Sequence, residues 1–182
     1  MPCRRIMITG APGSGKTTLA RTLAARLDAS RFELDAVVYE GGSGPKREFG
    51  ARLALAHEIA ARPAWVCEGN YLWWAAELYG AADLVVWLDL PWYVASARVV
   101  WRHLRHTLRG TNKHPGWRRL ARWLWRYRGY YFSREPDEPT GIDDDAAGNR
   151  AATALFLQAY TSKLVRCRSS RDVARLLKAT CG

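Results

Sequence analysis

Eight residues near the start of the chain carry its clearest chemistry. Gly10-Ala11-Pro12-Gly13-Ser14-Gly15-Lys16-Thr17 has the spacing G-x-x-x-x-G-K-[ST]. Glycines let the backbone curl until successive N–H groups point at phosphate oxygens. A helix opening at Lys16 adds positive potential at the same place. Lys16 is placed to reach the β- and γ-phosphates of a nucleoside triphosphate, and the Thr17 hydroxyl to ligate Mg²⁺. The expected nucleotide-binding residues are therefore Gly10, Ala11, Pro12, Gly13, Ser14, Gly15, Lys16, Thr17 and Thr18, with ATP and Mg²⁺ as cofactors.

Three acidic residues fall where strands are expected to end. Asp35 follows Phe32-Glu33-Leu34. At the tip of a second strand it faces the γ-phosphate, where an Asp orients or deprotonates an acceptor hydroxyl. Its plainer role is a turn or a helix cap. Glu68 closes Trp65-Val66-Cys67 and precedes Gly69-Asn70-Tyr71. A carboxylate beside a phosphate loop holds Mg²⁺ directly or through water, which makes Thr17 and Glu68 the candidate metal pair. Asn70 and Tyr71 are then placed to line the acceptor site together with Asp35. Asp89, in Leu88-Asp89-Leu90-Pro91, reads as the N-cap of the next helix rather than as a catalytic group.

The cations are segregated. Of 28 Lys and Arg residues, eleven lie between Leu90 and Arg134, a stretch with no Asp or Glu. They are Arg98, Arg102, Arg105, Arg109, Lys113, Arg118, Arg119, Arg122, Arg126, Arg128 and Arg134, and their charge equals the formal net charge of +11. Arg98, Arg102, Arg105 and Arg109 share one helical face, as do Arg119, Arg122 and Arg126. Leu120, Trp123, Leu124, Tyr127 and Tyr131 form an apolar stripe beside the second set. Two such helices make a lid over 92–134 that closes on polyphosphate. Arg98, Arg102 and Arg105 are, in that order, the candidates to neutralise the transferring phosphoryl group. Two other readings compete: a solvated basic face without a role, and a nucleic-acid surface. In the latter, arginines meet phosphates and Trp117, Trp123, Trp125, Tyr127, Tyr130 and Tyr131 stack on bases. Packing between the two helices accounts for the Trp and Tyr periodicity more simply.

The elements that must position these groups alternate. Arg5–Thr9 reads as a buried strand and Lys16–Leu27 as a helix with Leu19, Leu23 and Leu27 on one face. Phe32–Leu34 is a short strand, and Gly41-Gly42-Ser43-Gly44-Pro45 a break. Arg47–Arg62 reads as helix and stops at Pro63. Ala64–Cys67 and Leu84–Leu88 are strands. Pro91 opens a helix to about Leu108, and Gly110 to Gly116 separates it from a second over Trp117–Tyr131. Asp143, Asp144 and Asp145 suit the start of a further helix. Leu164–Cys167 is the fifth strand, and Ser169 with Asp172 a capping box for the last helix. Strands alternating with helices imply an α/β layer fold whose ligands sit at the carboxyl ends of the strands.

Length and composition bound the answer. A chain of 182 residues is a single domain, here 1–182, large enough to fold without metal or disulfide. Apolar types at 48% and charged types at 25% exclude a wholly disordered chain. No apolar run spans a membrane, and Ile6-Met7-Ile8 is too short for a signal-peptide core. Cys3, Cys67, Cys167 and Cys181 form no CxxC pair, which fits a reducing cytoplasm.

Taken in order, these motifs resemble the P-loop kinases of small molecules and nucleotides. The loop is similar to that of adenylate kinases. Asp35 resembles the strand-two acid of shikimate and uridine kinases, and Glu68-Gly69 the strand-three Glu-Gly of uridine kinases. The fullest similarity is to the bacterial adenylate-kinase-like topology modulation proteins. It rests on the loop, Leu34-Asp35-Ala36, Trp65 to Tyr71, Leu88 to Pro91, the Arg-rich helix and Trp123 to Tyr127. It runs from Arg5 to about Leu177, with Glu68 where Asp is usual. The Asp-Gly-x-Pro-Arg motif of adenylate kinases is absent. The resemblance implies a P-loop NTPase fold with a five-stranded parallel sheet of order 2-3-1-4-5, helices on both sides and ATP with Mg²⁺. It puts adenine near Arg168 to Ser170. The expected function is transfer of the ATP γ-phosphoryl group to a small acceptor, a nucleoside or nucleotide first. The alternatives are a nucleic-acid-binding ATPase using the basic segment, and an ATP-binding protein without kinase activity.

Overall fold

Five strands make one parallel sheet: β1 (Arg5–Gly10), β2 (Ser30–Glu33), β3 (Trp65–Glu68), β4 (Leu84–Leu88) and β5 (Leu164–Cys167). Their order is β2-β3-β1-β4-β5, the order the resemblance implied. The computed structural model describes residues 3–112, 116–141, 144 and 148–180. Lys113, Asp143, Asp145 and Cys181, named above, lie outside them. The helices are α1 (Lys16–Leu27), α2 (Leu34–Val38), α3 (Phe49–Ala60), α4 (Ala76–Ala81), α5 (Trp92–Leu108), α6 (Trp117–Phe132), α7 (Arg150–Phe156) and α8 (Ser170–Ala179). Among the described residues no helix is long and apolar enough to cross a membrane.

The central strands are apolar at nearly every position because both faces of a parallel sheet are covered. Ile6, Ile8, Val66, Val86 and Leu88 point to one face and pack against Leu19 and Leu23 of α1 and Leu176 of α8. Met7, Trp65, Cys67, Val85 and Trp87 point to the other and pack under α2, α3 and α4. The period of two along each strand thus builds two cores. A third, smaller cluster joins Ala11 of the phosphate loop to Ala95 of α5 and to Tyr127 and Tyr131 of α6.

Several local expectations change. Asp35 does not sit at a strand tip. β2 ends at Glu33, and Asp35 lies in the first turn of α2. Of the aspartates expected to open a helix, Asp144 precedes α7 by several residues. Asn149 caps that helix, its side chain accepting from the Ala152 amide at 2.7 Å. The capping box on α8 is present, with Ser169 and Asp172 bonded reciprocally. The α5 and α6 tyrosine packing accounts for only part of the aromatic pattern. Tyr127 and Tyr131 are buried, but Trp101, Trp117 and Trp125 are 65%, 55% and 70% exposed.

Asp89 is not an N-cap. Pro91 occupies the cap position of α5 and no side chain caps that helix. The Asp89 carboxylate instead joins two arginines from distant elements. Arg150 donates to it at 2.7 and 2.9 Å, and Arg166 at 3.0 and 2.6 Å. Arg166 also lies 4.2 Å over the Trp87 ring. The Asp89 side chain is 1% exposed, whereas the arginines keep 42% and 34% exposure. Removing the carboxylate leaves both cations without their partner, though solvent reaches them. Asp89→Ala is expected to destabilise the fold by about 2 kcal/mol, below the cost of breaking a fully buried pair. Urea unfolding of both proteins measures it, and an unchanged midpoint would remove this role.

Candidate active site

The phosphate loop leaves β1 at Gly10 and enters α1 at Lys16. Its glycines answer to close approaches. Gly13 has φ of 77°, and a β-carbon there would meet the Ala95 carbonyl oxygen at 2.6 Å and Val99 Cγ2 at 2.8 Å. The loop is held from outside as well. Tyr127 of α6 donates its hydroxyl to the Pro12 carbonyl, and Arg98 of α5 donates to the Ser14 carbonyl at 2.8 Å. The Ser14 hydroxyl is buried without a hydrogen-bond partner among the described residues.

Lys16 folds over the loop and donates to Gly10 O at 2.8 Å and Ala11 O at 3.3 Å. Burial pushes its pKa down, and the negative charges of Glu68 and Asp35 push it back up. Parallel pairing sets Glu68 level with Ile8 of the central strand, which brings it beside α1. Thr17 Oγ1 donates to Glu68 Oε1 at 2.6 Å. Burial raises the Glu68 pKa, while Thr17 and Lys16 oppose the shift. A hydroxyl and a carboxylate this close are two hard oxygen donors for one small cation. Mg²⁺ takes few protein ligands and completes its shell with phosphates and water, so the pair fits it. Asp35 faces the loop from α2, and its Oδ1 accepts from the Tyr71 hydroxyl at 2.9 Å.

One cavity of about 880 Å³ collects these groups. Its wall includes Lys16, Thr17, Asp35, Glu68, Asn70 and Tyr71. Arg98 and Arg102 border it from α5, but Arg105 does not and is exposed. From Arg98 the spacing of four and then three fixes a face, yet only the turns next to the loop reach the cavity. Five further wall residues are not among the site candidates the sequence offers: Glu33, Tyr39, Lys46, Gly69 and Asp144. The aspartate run is a visible signal, but in sequence it reads as a helix terminus. Asp144 accepts from the Thr140 amide at 3.0 Å and hydroxyl at 2.8 Å. A second cavity of about 280 Å³ lies between the loop and α8, bordered by Gly15, Thr18, Ser170 and Val173. Of the residues Arg168 to Ser170 expected near adenine, Ser170 borders it.

No family model matches the chain, and no curated protein matches it. Solved structures do. A shikimate kinase from Bacteroides thetaiotaomicron aligns with a TM-score of 0.52 at 17% identity, covering 97% of this chain and 95% of that one. A gluconokinase from Sinorhizobium meliloti aligns with a TM-score of 0.49 at 16% identity, covering 99% and 90%. The five-stranded parallel sheet, its order and its flanking helices are those of the P-loop kinase fold.

Proposed function

We propose that this chain transfers the γ-phosphoryl group of ATP, with Mg²⁺, to a hydroxyl of a small acceptor. The observation that carries this is convergence. The phosphate-loop lysine, a Thr17–Glu68 oxygen pair 2.6 Å apart and the Asp35 carboxylate share one cavity. The loop amides and Lys16 hold the triphosphate. Thr17 and Glu68 would hold Mg²⁺, which when bound would neutralise phosphate charge. Asp35, steadied by the Tyr71 hydroxyl, orients the acceptor hydroxyl and receives its proton as the oxygen attacks the γ-phosphorus and the bond to the β,γ-bridging oxygen breaks, releasing ADP. Arg98 and Arg102 close from α5 as part of a lid and balance the charge on the moving phosphoryl group.

The acceptor is a neutral hydroxylated molecule, a nucleoside or a sugar. Glu33, Asp35 and Asp144 border the same cavity, with Lys46 also in its wall. Three carboxylates disfavour a second anion, which ranks a nucleoside above a nucleotide. The detailed similarity to the topology modulation proteins supports the loop, Asp35 and the 65–71 block, and leaves the acceptor open.

The test is ATP consumption with Mg²⁺ against nucleosides, nucleoside monophosphates, sugars and hydroxy acids, with single- and double-stranded DNA alongside and Lys16→Ala as control. Stimulation by one neutral acceptor, lost in the control, is expected. Turnover raised by DNA and by no small molecule would replace this reading with that of a nucleic-acid-dependent ATPase. ATP binding without any turnover would leave a binding protein.

A further inference from the structure

The helix pair α5 and α6 borders a further cavity, of about 570 Å³, that shares Arg102 with the active-site cavity and holds no residue of the phosphate loop. Its size is that of a small-molecule site. Arg102 and Arg119 border it from the two helices, with Trp123 between turns of α6. Among the described residues neither guanidinium has an acidic or hydrogen-bonding partner. No Asp or Glu occurs anywhere from Leu90 to Arg134 to neutralise them.

The neutral polar groups at this cavity are already engaged. His106 Nδ1 and the Thr111 hydroxyl are 3.0 Å apart. Asn112 Nδ2 lies 3.2 Å from His103 Nδ1, and the His103 ring rests against Trp117 with centroids 5.2 Å apart. These contacts fix the wall and leave Arg119 as the donor that belongs to this cavity alone, while Arg102 stands between it and the active-site cavity. Trp123 is stacked on Tyr127 at 4.6 Å with ring planes 20° apart, so its indole is held rigid while remaining 38% exposed.

From this arrangement we infer a second ligand site, between α5 and α6, that takes a nucleotide unit: a phosphate beside a planar base. Two permanently charged forks recognise phosphate oxygens in pairs. A fixed indole supplies a stacking face that accepts any base. The exposed rings of the two helices, Trp101, Trp117 and Trp125, stand outside this cavity. The site also divides the basic segment. Arg119 borders the cavity, whereas Arg122 and Arg126, expected beside it on one face, are exposed and stand outside it.

The nucleotide unit comes either from a free mononucleotide or from a single strand, and the test separates them. AMP and an eight-residue oligothymidylate are titrated by calorimetry at physiological ionic strength. Wild type, Lys16→Ala, Arg119→Gln and Trp123→Leu are compared. Arg119 is exposed, so its variant keeps the fold even where Trp123→Leu does not. The expected result is binding that weakens at least tenfold in Arg119→Gln and stays within twofold in Lys16→Ala. AMP binding with this pattern identifies a free nucleotide. Oligothymidylate binding with this pattern, without AMP binding, identifies a strand. Binding indifferent to Arg119→Gln, binding lost in Lys16→Ala, or no binding of either probe overturns the site. The phosphorylation assay above is independent of all these outcomes.

Discussion

Lys16→Ala is expected to lower kcat/KM for phosphoryl transfer by about a thousandfold, roughly 4 kcal/mol of transition-state stabilisation. The size follows from the enclosure of the ammonium. It is desolvated, aimed by the Gly10 and Ala11 carbonyls, and set between Glu68 and Asp35. In such a site a fixed cation needs no reorganisation when charge shifts onto the bridging and terminal phosphate oxygens. No other side chain takes its place. Arg98 is tied to the Ser14 carbonyl from the α5 side, and Arg102 enters from the next turn. Steady-state kinetics on a variant with an unchanged urea midpoint measures the effect. A loss of less than tenfold would show that Lys16 does not act on the transferring group.

Asp35→Asn is expected to reduce kcat by about a hundredfold to a thousandfold while KM for ATP stays within about twofold. Asparagine keeps the shape of the side chain, and its carbonyl oxygen still accepts from the Tyr71 hydroxyl. It cannot receive the acceptor's proton. Asp35 and the metal pair Thr17 and Glu68 stand on different elements, α2 against α1 and β3. The substitution therefore separates acceptor chemistry from nucleotide binding. Parallel losses in kcat and in ATP affinity would assign Asp35 to the nucleotide side and remove its role as base.

The parts of this site that lie close in sequence were readable from it. The loop announces itself because its spacing is the geometry: glycines, lysine and threonine act within eight consecutive residues. The strands were readable from short apolar runs, since burial on both faces leaves few polar positions in them. The two shortest helices were not. α2 has five residues and α4 six, too few turns to give a period or cap signals. Contacts across the chain were equally silent. Asp89 looks like a cap beside Pro91 because its real partners, Arg150 and Arg166, lie 61 and 77 residues away. Trp101 and Trp125 share the composition of core residues, and only the crossing of α5 and α6 decides which ring faces solvent.

The phosphate loop does not hold its shape alone, and this bears on how such proteins are rebuilt. Gly13 is seated against Ala95 and Val99, Pro12 is bonded by Tyr127, and Ser14 by Arg98. All four outside partners lie within the segment that would be replaced if residues 92–132 were grafted from another kinase. A chimera of that kind would exchange the scaffold of the loop along with its cover. Residues 95, 98, 99 and 127 must travel with the recipient's own loop, whichever donor supplies the remainder.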